Sequence, residues 1–119
     1  MARVALVTGG SRGIGAAISI GLKNAGYQVA ASYAGNEATA AEFSAETGIK
    51  TYKWDVADYD ACAAGIAQVE ADLGPVEILV NNAGITRDAP FHKMTRDQWQ
   101  QVIDTNLSGV FNMTHPIWP

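Results

Sequence analysis

The stretch Val-Ala-Leu-Val-Thr-Gly-Gly-Ser-Arg-Gly-Ile-Gly, residues 4–15, decides how this chain folds. An apolar run, a glycine-rich turn and a helical pattern follow one another without a gap, which predicts a strand, a tight turn and a helix. Glycines let the backbone approach a bound group closely, and the next helix directs its positive N-terminal end at the same point. Such a turn suits a pyrophosphate, so it predicts a dinucleotide site. The alternative is a plain strand-to-helix turn.

Strands and helices alternate along the rest of the chain. The first helix is predicted over 13–25, with Gly26 as its C-terminal cap and an apolar face made of Ile14, Ala17, Ile18, Gly21 and Leu22. Further strands are predicted at 28–33, 49–56 and 76–80, and further helices at 36–47 and 58–73. Alternation of this kind indicates an α/β fold with a Rossmann-like, doubly wound parallel sheet. We therefore predict one partial dinucleotide-binding domain over 1–119, truncated after about four strands.

A last helix is predicted to begin at a capping box formed by Thr95 and Gln98. Its apolar positions fall on one face: Trp99, Val102, Ile103, Leu107, Val110 and Phe111, with Asn106 as the only polar member. The fourth strand is nearly all apolar, as expected of a strand that is covered on both faces.

Composition narrows the classes of function. The chain has 119 residues and a net charge of −4, with a pI near 4.9, which argues against nucleic acid or an anionic membrane as partner. Its single cysteine, Cys62, falls at helical spacing with Ile66, Val69 and Leu73 and is predicted to be a core residue. The two histidines have no metal-like spacing, so we predict no metal site. The lack of a signal peptide pattern favours a cytoplasmic protein.

A second motif, Asn-Asn-Ala-Gly at 81–84, stands where the fourth strand ends. In an open parallel sheet the ligand crevice lies beyond the carboxyl ends of the strands, so this motif and the glycine turn would face one ligand. Asp55 ends the third strand at the same edge, either as a ligand for an adenine amino group or as a turn residue.

With Thr8-Gly-x-x-x-Gly-x-Gly15 and Asn-Asn-Ala-Gly together, the chain resembles the short-chain dehydrogenase/reductase family. That resemblance implies a nicotinamide cofactor bound by Gly9, Ser11, Arg12, Gly13, Ile14, Gly15, Tyr33, Asp55, Val56, Asn82, Ala83, Gly84, Ile85 and Thr86. It also implies a catalytic role for Asn106, which would hold a water in the proton relay; the alternative is a satisfied core amide.

The 2′ position of the ribose decides which nicotinamide cofactor fits. An NAD site usually places an acid about twenty residues past the glycine turn, whereas an NADP site has a cation nearby. Here that position is Tyr33, no acid precedes Glu37, and Arg12 offers a positive charge within the turn. We therefore predict NADPH, and a Glu37 that folds back to a ribose hydroxyl would overturn this preference.

The family's reaction uses a tyrosine as general acid, a lysine four residues later and a serine. None of the four tyrosines of this chain, Tyr27, Tyr33, Tyr52 and Tyr59, has a lysine at that spacing. The resemblance therefore predicts the amino-terminal half of a reductase, with much of the cofactor site and without the acid catalyst.

Residues 82–88, 91–95 and 104–107, with Trp99, resemble the branch of this family that reduces acetoacetyl-CoA in polyhydroxyalkanoate synthesis. The resemblance implies reduction of 3-ketoacyl-CoA to (R)-3-hydroxyacyl-CoA, Asp88 and Lys93 near the pantetheine arm, and a homotetramer for full-length relatives. Two alternatives stay open: a 3-oxoacyl-acyl-carrier-protein reductase and a non-catalytic nucleotide-binding fragment. The cations Arg87, His92, Lys93 and Arg96 would meet coenzyme A phosphates or form a solvated face.

Overall fold

The structure, a computed structural model, describes residues 3–84 and 91–118, without the side chain of Phe91. Its strands are β1 (Val4–Thr8), β2 (Gln28–Tyr33), β3 (Lys50–Lys53) and β4 (Val76–Val80). Its helices are α1 (Gly13–Asn24), α2 (Glu37–Thr47), α3 (Tyr59–Leu73), α4 (Arg96–Ile103) and α5 (Gly109–Ile117), with a 3₁₀ turn at Phe91–Lys93 and a π-helical segment at Asp104–Ser108. The predicted alternation of strands and helices is confirmed.

All strand pairs are parallel, and the order across the sheet is β3-β2-β1-β4. The chain moves outward from β1 to β3 and then returns to the other side of β1, so the direction of winding reverses between β1 and β4. Ligands of open α/β sheets bind beyond the carboxyl ends of the strands at such a reversal. The Rossmann-like fold is confirmed. The reversal between β1 and β4 places the ligand crevice at the glycine turn that follows β1.

The core lies on both faces of the sheet. Leu6 packs with Ile66, Val69 and Met113 on one face, and Val7 packs with Phe43 on the other. Strand β1 is buried along its whole length because helices cover both of its faces.

Cys62 is a core residue, as predicted: it is fully buried, and burial raises the pKa of its thiol to about 11. The predicted helix boundaries at Asn36, Asp58 and Thr95 are confirmed as N-caps, and Thr95 with Gln98 forms the complete capping box.

Two strand predictions need correction. The third strand was expected over 49–56, but β3 ends at Lys53 because Trp54 and Val56 turn inward and are buried against the helices. Strand β4 is covered only in part: Val76 is buried and Glu77 is exposed, and half-buried Leu79 and Val80 pack against the cores on opposite faces of the sheet. In the described residues β4 pairs with β1 alone and forms one edge of the sheet.

The predicted apolar face of the last helix is also wrong. Leu107 and Phe111 are 65% and 58% exposed, and the buried residues of α5 are Gly109, Asn112 and Met113. Gly109 brings the helix so close to the protein that an added Cβ would lie 2.8 Å from Val56 Cγ2. A small residue and a hydrogen-bonding amide thus determine the face that packs, whereas the more apolar face stays largely exposed, with the Phe111 ring centroid 6.0 Å from that of Tyr59.

The predicted apolar face of α1 is confirmed in part. Ile18 and Leu22 pack against the core, whereas Ile14 is 76% exposed and α1 buries Gly15 and Ser19 against the glycine turn. Across residues 3–84 and 91–118, none of the helices combines the length and the hydropathy needed to span a bilayer.

Candidate dinucleotide site

A cleft of about 830 Å³ opens at the carboxyl edge of the sheet. It is lined by the glycine turn after β1, by the segments after β2, β3 and β4, and by part of the last helical region. The predicted cofactor residues that it brings together are Gly9, Ser11, Arg12, Gly13, Tyr33, Asp55, Val56, Asn82, Ala83 and Gly84. Residues far apart in the chain therefore converge on one concave surface.

Thr8 ties the two sequence motifs to each other. Its hydroxyl oxygen accepts hydrogen bonds from the backbone N–H groups of Asn82 (3.0 Å) and Ala83 (2.9 Å), and it donates to the carbonyl of Val80 (3.4 Å). The Asn82 amide in turn donates to the Gly9 carbonyl at 3.2 Å. Thr8 was not predicted as a site residue, although its place at the head of the glycine motif was the available signal.

The glycines of the turn have different functions. Gly9 and Gly13 have φ angles of +61° and +57°, a region that favours glycine. A Cβ at Gly15 would overlap the Gly9 carbonyl oxygen and lie 2.6 Å from Asn82 Nδ2, so Gly15 permits close packing of α1 on the turn. A Cβ at Gly13 would meet nothing within 4 Å, which leaves that side of the turn open.

Helix α1 begins at this turn without the usual side-chain cap. Its N-cap residue, Arg12, makes no capping hydrogen bond, and its first turn holds no acid. Helices α2, α3 and α4 each have a capping side chain and an acidic residue in the first turn. The N–H groups that start α1 are therefore available to an anion in the cleft.

Asp55 makes a turn contact, which is one of the two functions predicted for it. Its Oδ1 accepts a hydrogen bond from the Ala57 N–H at 2.9 Å, and the residue is exposed while it lines the cleft. The buried amide of Asn112 donates to the carbonyl of neighbouring Val56 at 2.9 Å. Helix α5 thus fixes this wall of the cleft, a function of Asn112 that the predicted helix face did not anticipate.

The end of the cleft beside β2 is lined by Tyr33, Ala34, Gly35, Asn36 and Thr39. Asn36 adopts a left-handed conformation and accepts a hydrogen bond from the Thr39 N–H at 3.1 Å.

Glu37, the nearest acid after β2, does not line the cleft. Its carboxylate binds the Lys53 ammonium, with Oε1 and Nζ 2.5 Å apart. This hydrogen bond and the charge of Lys53 lower the pKa of the Glu37 carboxyl, and the same contact raises the pKa of the Lys53 ammonium.

Asn106 lies in the π-helical segment between α4 and α5. Its Oδ1 is 3.3 Å from the position that a Cβ of Gly84 would occupy, so the carboxamide lies against the end of the Asn-Asn-Ala-Gly motif. Asn106 does not itself line the cleft, but Asp104 and Thr105 do, as does Gln101. Single π-helical turns within α-helices are often found at functional sites.

The remaining predicted residues divide into two groups. Ile14, Gly15 and Lys93 are described but do not line the cleft, and Lys93 is exposed in the 3₁₀ turn. Ile85, Thr86 and Asp88 lie outside the described residues. In the part of the chain that the structure describes, no cluster of three or more His, Cys, Asp or Glu residues could hold a metal ion.

A parallel sheet in the order 3-2-1-4, with a glycine turn and a cleft at its switch point, defines a Rossmann-like α/β protein. The short chain dehydrogenase family matches residues 3–119, and the chain belongs to that family.

Individual relatives are similar to this chain over nearly its whole length. An acetoacetyl-CoA reductase of Paracoccus denitrificans is 76% identical over 99% of this chain and 49% of its own. A 3-oxoacyl-[acyl-carrier-protein] reductase of Staphylococcus aureus is 45% identical over 100% of this chain and 50% of its own. The solved structure of a Serratia marcescens short-chain dehydrogenase/reductase mutant superposes on this chain with a TM-score of 0.90 at 32% sequence identity. The superposition covers 97% of this chain and 49% of that chain. The chain spans about half the length of the curated relatives it matches.

Proposed function

We propose that this chain is the cofactor-binding part of an NADPH-dependent reductase that converts acetoacetyl-CoA, or another 3-ketoacyl-CoA, to the (R)-3-hydroxyacyl-CoA in the cytoplasm. The observation that carries the proposal is the cleft at the switch point, whose two walls are tied together by Thr8 and Asn82.

A dinucleotide fits the residues that form this cleft. The glycine turn leaves open space at Gly13, and the start of α1 has neither a capping side chain nor an acid to compete with a pyrophosphate. Backbone N–H groups and the positive end of a helix dipole together make a favourable anion site. Asp55 and Val56 would meet the adenine at the opposite wall.

Two charges favour NADPH over NADH. Arg12 lines the cleft, and the described residues offer it no carboxylate partner, so its guanidinium is available for a 2′-phosphate. Glu37, the acid that would hold a 2′-hydroxyl, is paired with Lys53.

NADPH, when bound, supplies the hydride that reduces the ketone carbon of the substrate. Asn106 would hold a water of the proton relay beside Gly84. The proposal also requires a serine and a Tyr-x-x-x-Lys pair from outside these 119 residues, since no tyrosine here has that spacing. The simplest test for the serine and the Tyr-x-x-x-Lys pair is therefore to determine the reading frame after Pro119.

The acyl-CoA substrate is supported by the 76% identical relative that bears the name acetoacetyl-CoA reductase. Asp88 and Lys93 would lie near the pantetheine arm. The relative that acts on an acyl carrier protein keeps a 3-oxoacyl-acyl-carrier-protein reductase as a second candidate. A non-catalytic nucleotide-binding protein is the third candidate.

Cofactor binding is tested by titrating the chain with NADPH and with NADH and following nucleotide fluorescence. We expect tighter binding of NADPH, and Arg12→Ala should weaken it about tenfold with little effect on NADH, because a charge-assisted contact to phosphate is lost. Arg3→Ala is the matched control, since Arg3 pairs with Glu77 at the amino-terminal end of the sheet. Equal affinity for both nucleotides, or no binding by a folded chain, would contradict the proposal.

The reaction itself is tested by oxidation of NADPH in the presence of acetoacetyl-CoA. We expect no turnover by the purified 119-residue chain, and turnover by a longer product of the same reading frame that contains Tyr-x-x-x-Lys. The same assay with an acetoacetyl-acyl carrier protein decides between the two thioester carriers.

A further inference from the structure

The end of the cleft beside β2, where the proposed function places the ribose 2′ position, has a pair of opposite charges next to it. Glu37 is the first residue of α2 and stands between Asn36 and Thr39, both of which line the cleft. Lys53 is the last residue of β3 and pairs in register with Tyr33, another lining residue. Both side chains are more than half exposed, and their charged atoms are 2.5 Å apart.

This ion pair changes what Glu37 offers to a ligand. A free carboxylate after the second strand accepts hydrogen bonds from the ribose hydroxyls of NAD and repels a 2′-phosphate. Bound to Lys53, the Glu37 carboxylate has its charge balanced and at least one oxygen occupied. The pair therefore removes an NAD-favouring group from a position next to the cleft.

We infer that Lys53 is a specificity-determining residue, which acts by holding Glu37 away from the ribose 2′ position and so favours a phosphorylated ribose over a free hydroxyl. This inference rests on the proposed function, because it concerns the selectivity of the same cleft. Lys53 acts through Glu37 and does not line the cleft itself. Arg12 is the cation that would meet the phosphate directly.

The inference differs in a measurable way from a direct contact between Lys53 and the phosphate. Under direct contact, removal of Lys53 weakens NADPH binding whether or not Glu37 is present. Under the inferred mechanism, the loss depends on Glu37, because the freed carboxylate is what repels the phosphate and attracts the hydroxyl. A double-mutant cycle separates the two.

The experiment compares Lys53→Met, Glu37→Gln and the double variant with the wild type, using equilibrium dissociation constants for NADPH and NADH. We expect Lys53→Met to weaken NADPH binding and to tighten NADH binding, with a change of about tenfold in their ratio. Glu37→Gln alone should bind NADPH no more weakly than the wild type. The double variant should return to within about threefold of the wild-type ratio, given the usual size of such residual effects.

Lys50→Met is the matched control, since Lys50 is an exposed lysine at the opposite end of the same strand. Exposed ion pairs contribute little to stability, so all variants should unfold at nearly the wild-type temperature.

Two results would overturn the inference while leaving the proposed function intact: an unchanged NADPH-to-NADH ratio in Lys53→Met, or a double variant as defective toward NADPH as Lys53→Met alone. A wild-type chain that is folded and binds neither nucleotide would overturn both.

Discussion

Replacement of Thr8 by valine tests whether one hydroxyl holds the two cofactor motifs together. Valine has nearly the same shape as threonine and carries a methyl group in place of the hydroxyl. In the wild type that oxygen accepts from the N–H groups of Asn82 and Ala83 at 3.0 and 2.9 Å, and Thr8 is only 1% exposed. Thr8→Val therefore removes the acceptor for two backbone donors with little change in volume.

The expected loss follows from the two unpaired donors. An unsatisfied buried donor costs about 1–3 kcal/mol, and the lower end applies because Asn82 and Ala83 are only half-buried and water reaches them in part. We expect Thr8→Val to lower the free energy of unfolding by about 2–3 kcal/mol, or roughly 10 °C in melting temperature for a chain of this size.

Thr8→Ser is the matched control, since it keeps the hydroxyl and loses one buried methyl group, at a cost of about 1 kcal/mol. Urea unfolding followed by tryptophan fluorescence, with buried Trp54 as the probe, gives both values at one fixed protein concentration. We also expect weaker NADPH binding by Thr8→Val than by Thr8→Ser. If Thr8→Val is as stable as Thr8→Ser, the hydroxyl does not hold the site together.

Three further predictions concern the core, a titration and the sheet edge. Gly65→Ala should destabilise the protein by about 1–3 kcal/mol in urea unfolding, because its Cβ would overlap the buried indole of Trp54; wild-type stability would refute the overlap. Burial, and then the hydrogen bond to Asp72, raise the pKa of Tyr52 to about 12, so the stability that Tyr52 contributes should be full below pH 10 and lost as pH rises through about 12. Absorbance at alkaline pH should show that late ionisation, moved earlier by Asp72→Asn; a Tyr52 that ionises near 10 would be the contrary result. Strand β4 has an unpaired edge in the described residues, so light scattering should detect self-association of the chain, whereas a monomer at every concentration would count against it.

Local signals made most of the elements predictable. The glycine turn, the caps at Asn36, Asp58 and Thr95, and the glycine at position 48 each act within a few residues of themselves. The rule that ligands bind at the carboxyl edge of a parallel sheet is enough to predict that the glycine turn and Asn-Asn-Ala-Gly lie at one cleft. Those parts of the fold and site follow from short-range physics and one topological rule.

Other features depended on what lies across the fold. The apolar positions of the last helix indicated one buried face, but Gly109 and Asn112 determined another, because only that face meets Val56. The length of β3 was overestimated because burial of Trp54 has the same residue signature as strand pairing.

Residue spacing and backbone freedom along the chain are enough to specify the class of fold, the order of its elements and the position of a glycine turn suited to a dinucleotide. Which groups are free to act at that turn depends instead on contacts across the fold. The Thr8 hydroxyl accepts hydrogen bonds from Asn82 and Ala83, and the Lys53 ammonium pairs with the Glu37 carboxylate. Each of these contacts joins residues from different parts of the fold. Such pairings depend on distances across the sheet, and no pattern along the chain encodes those distances.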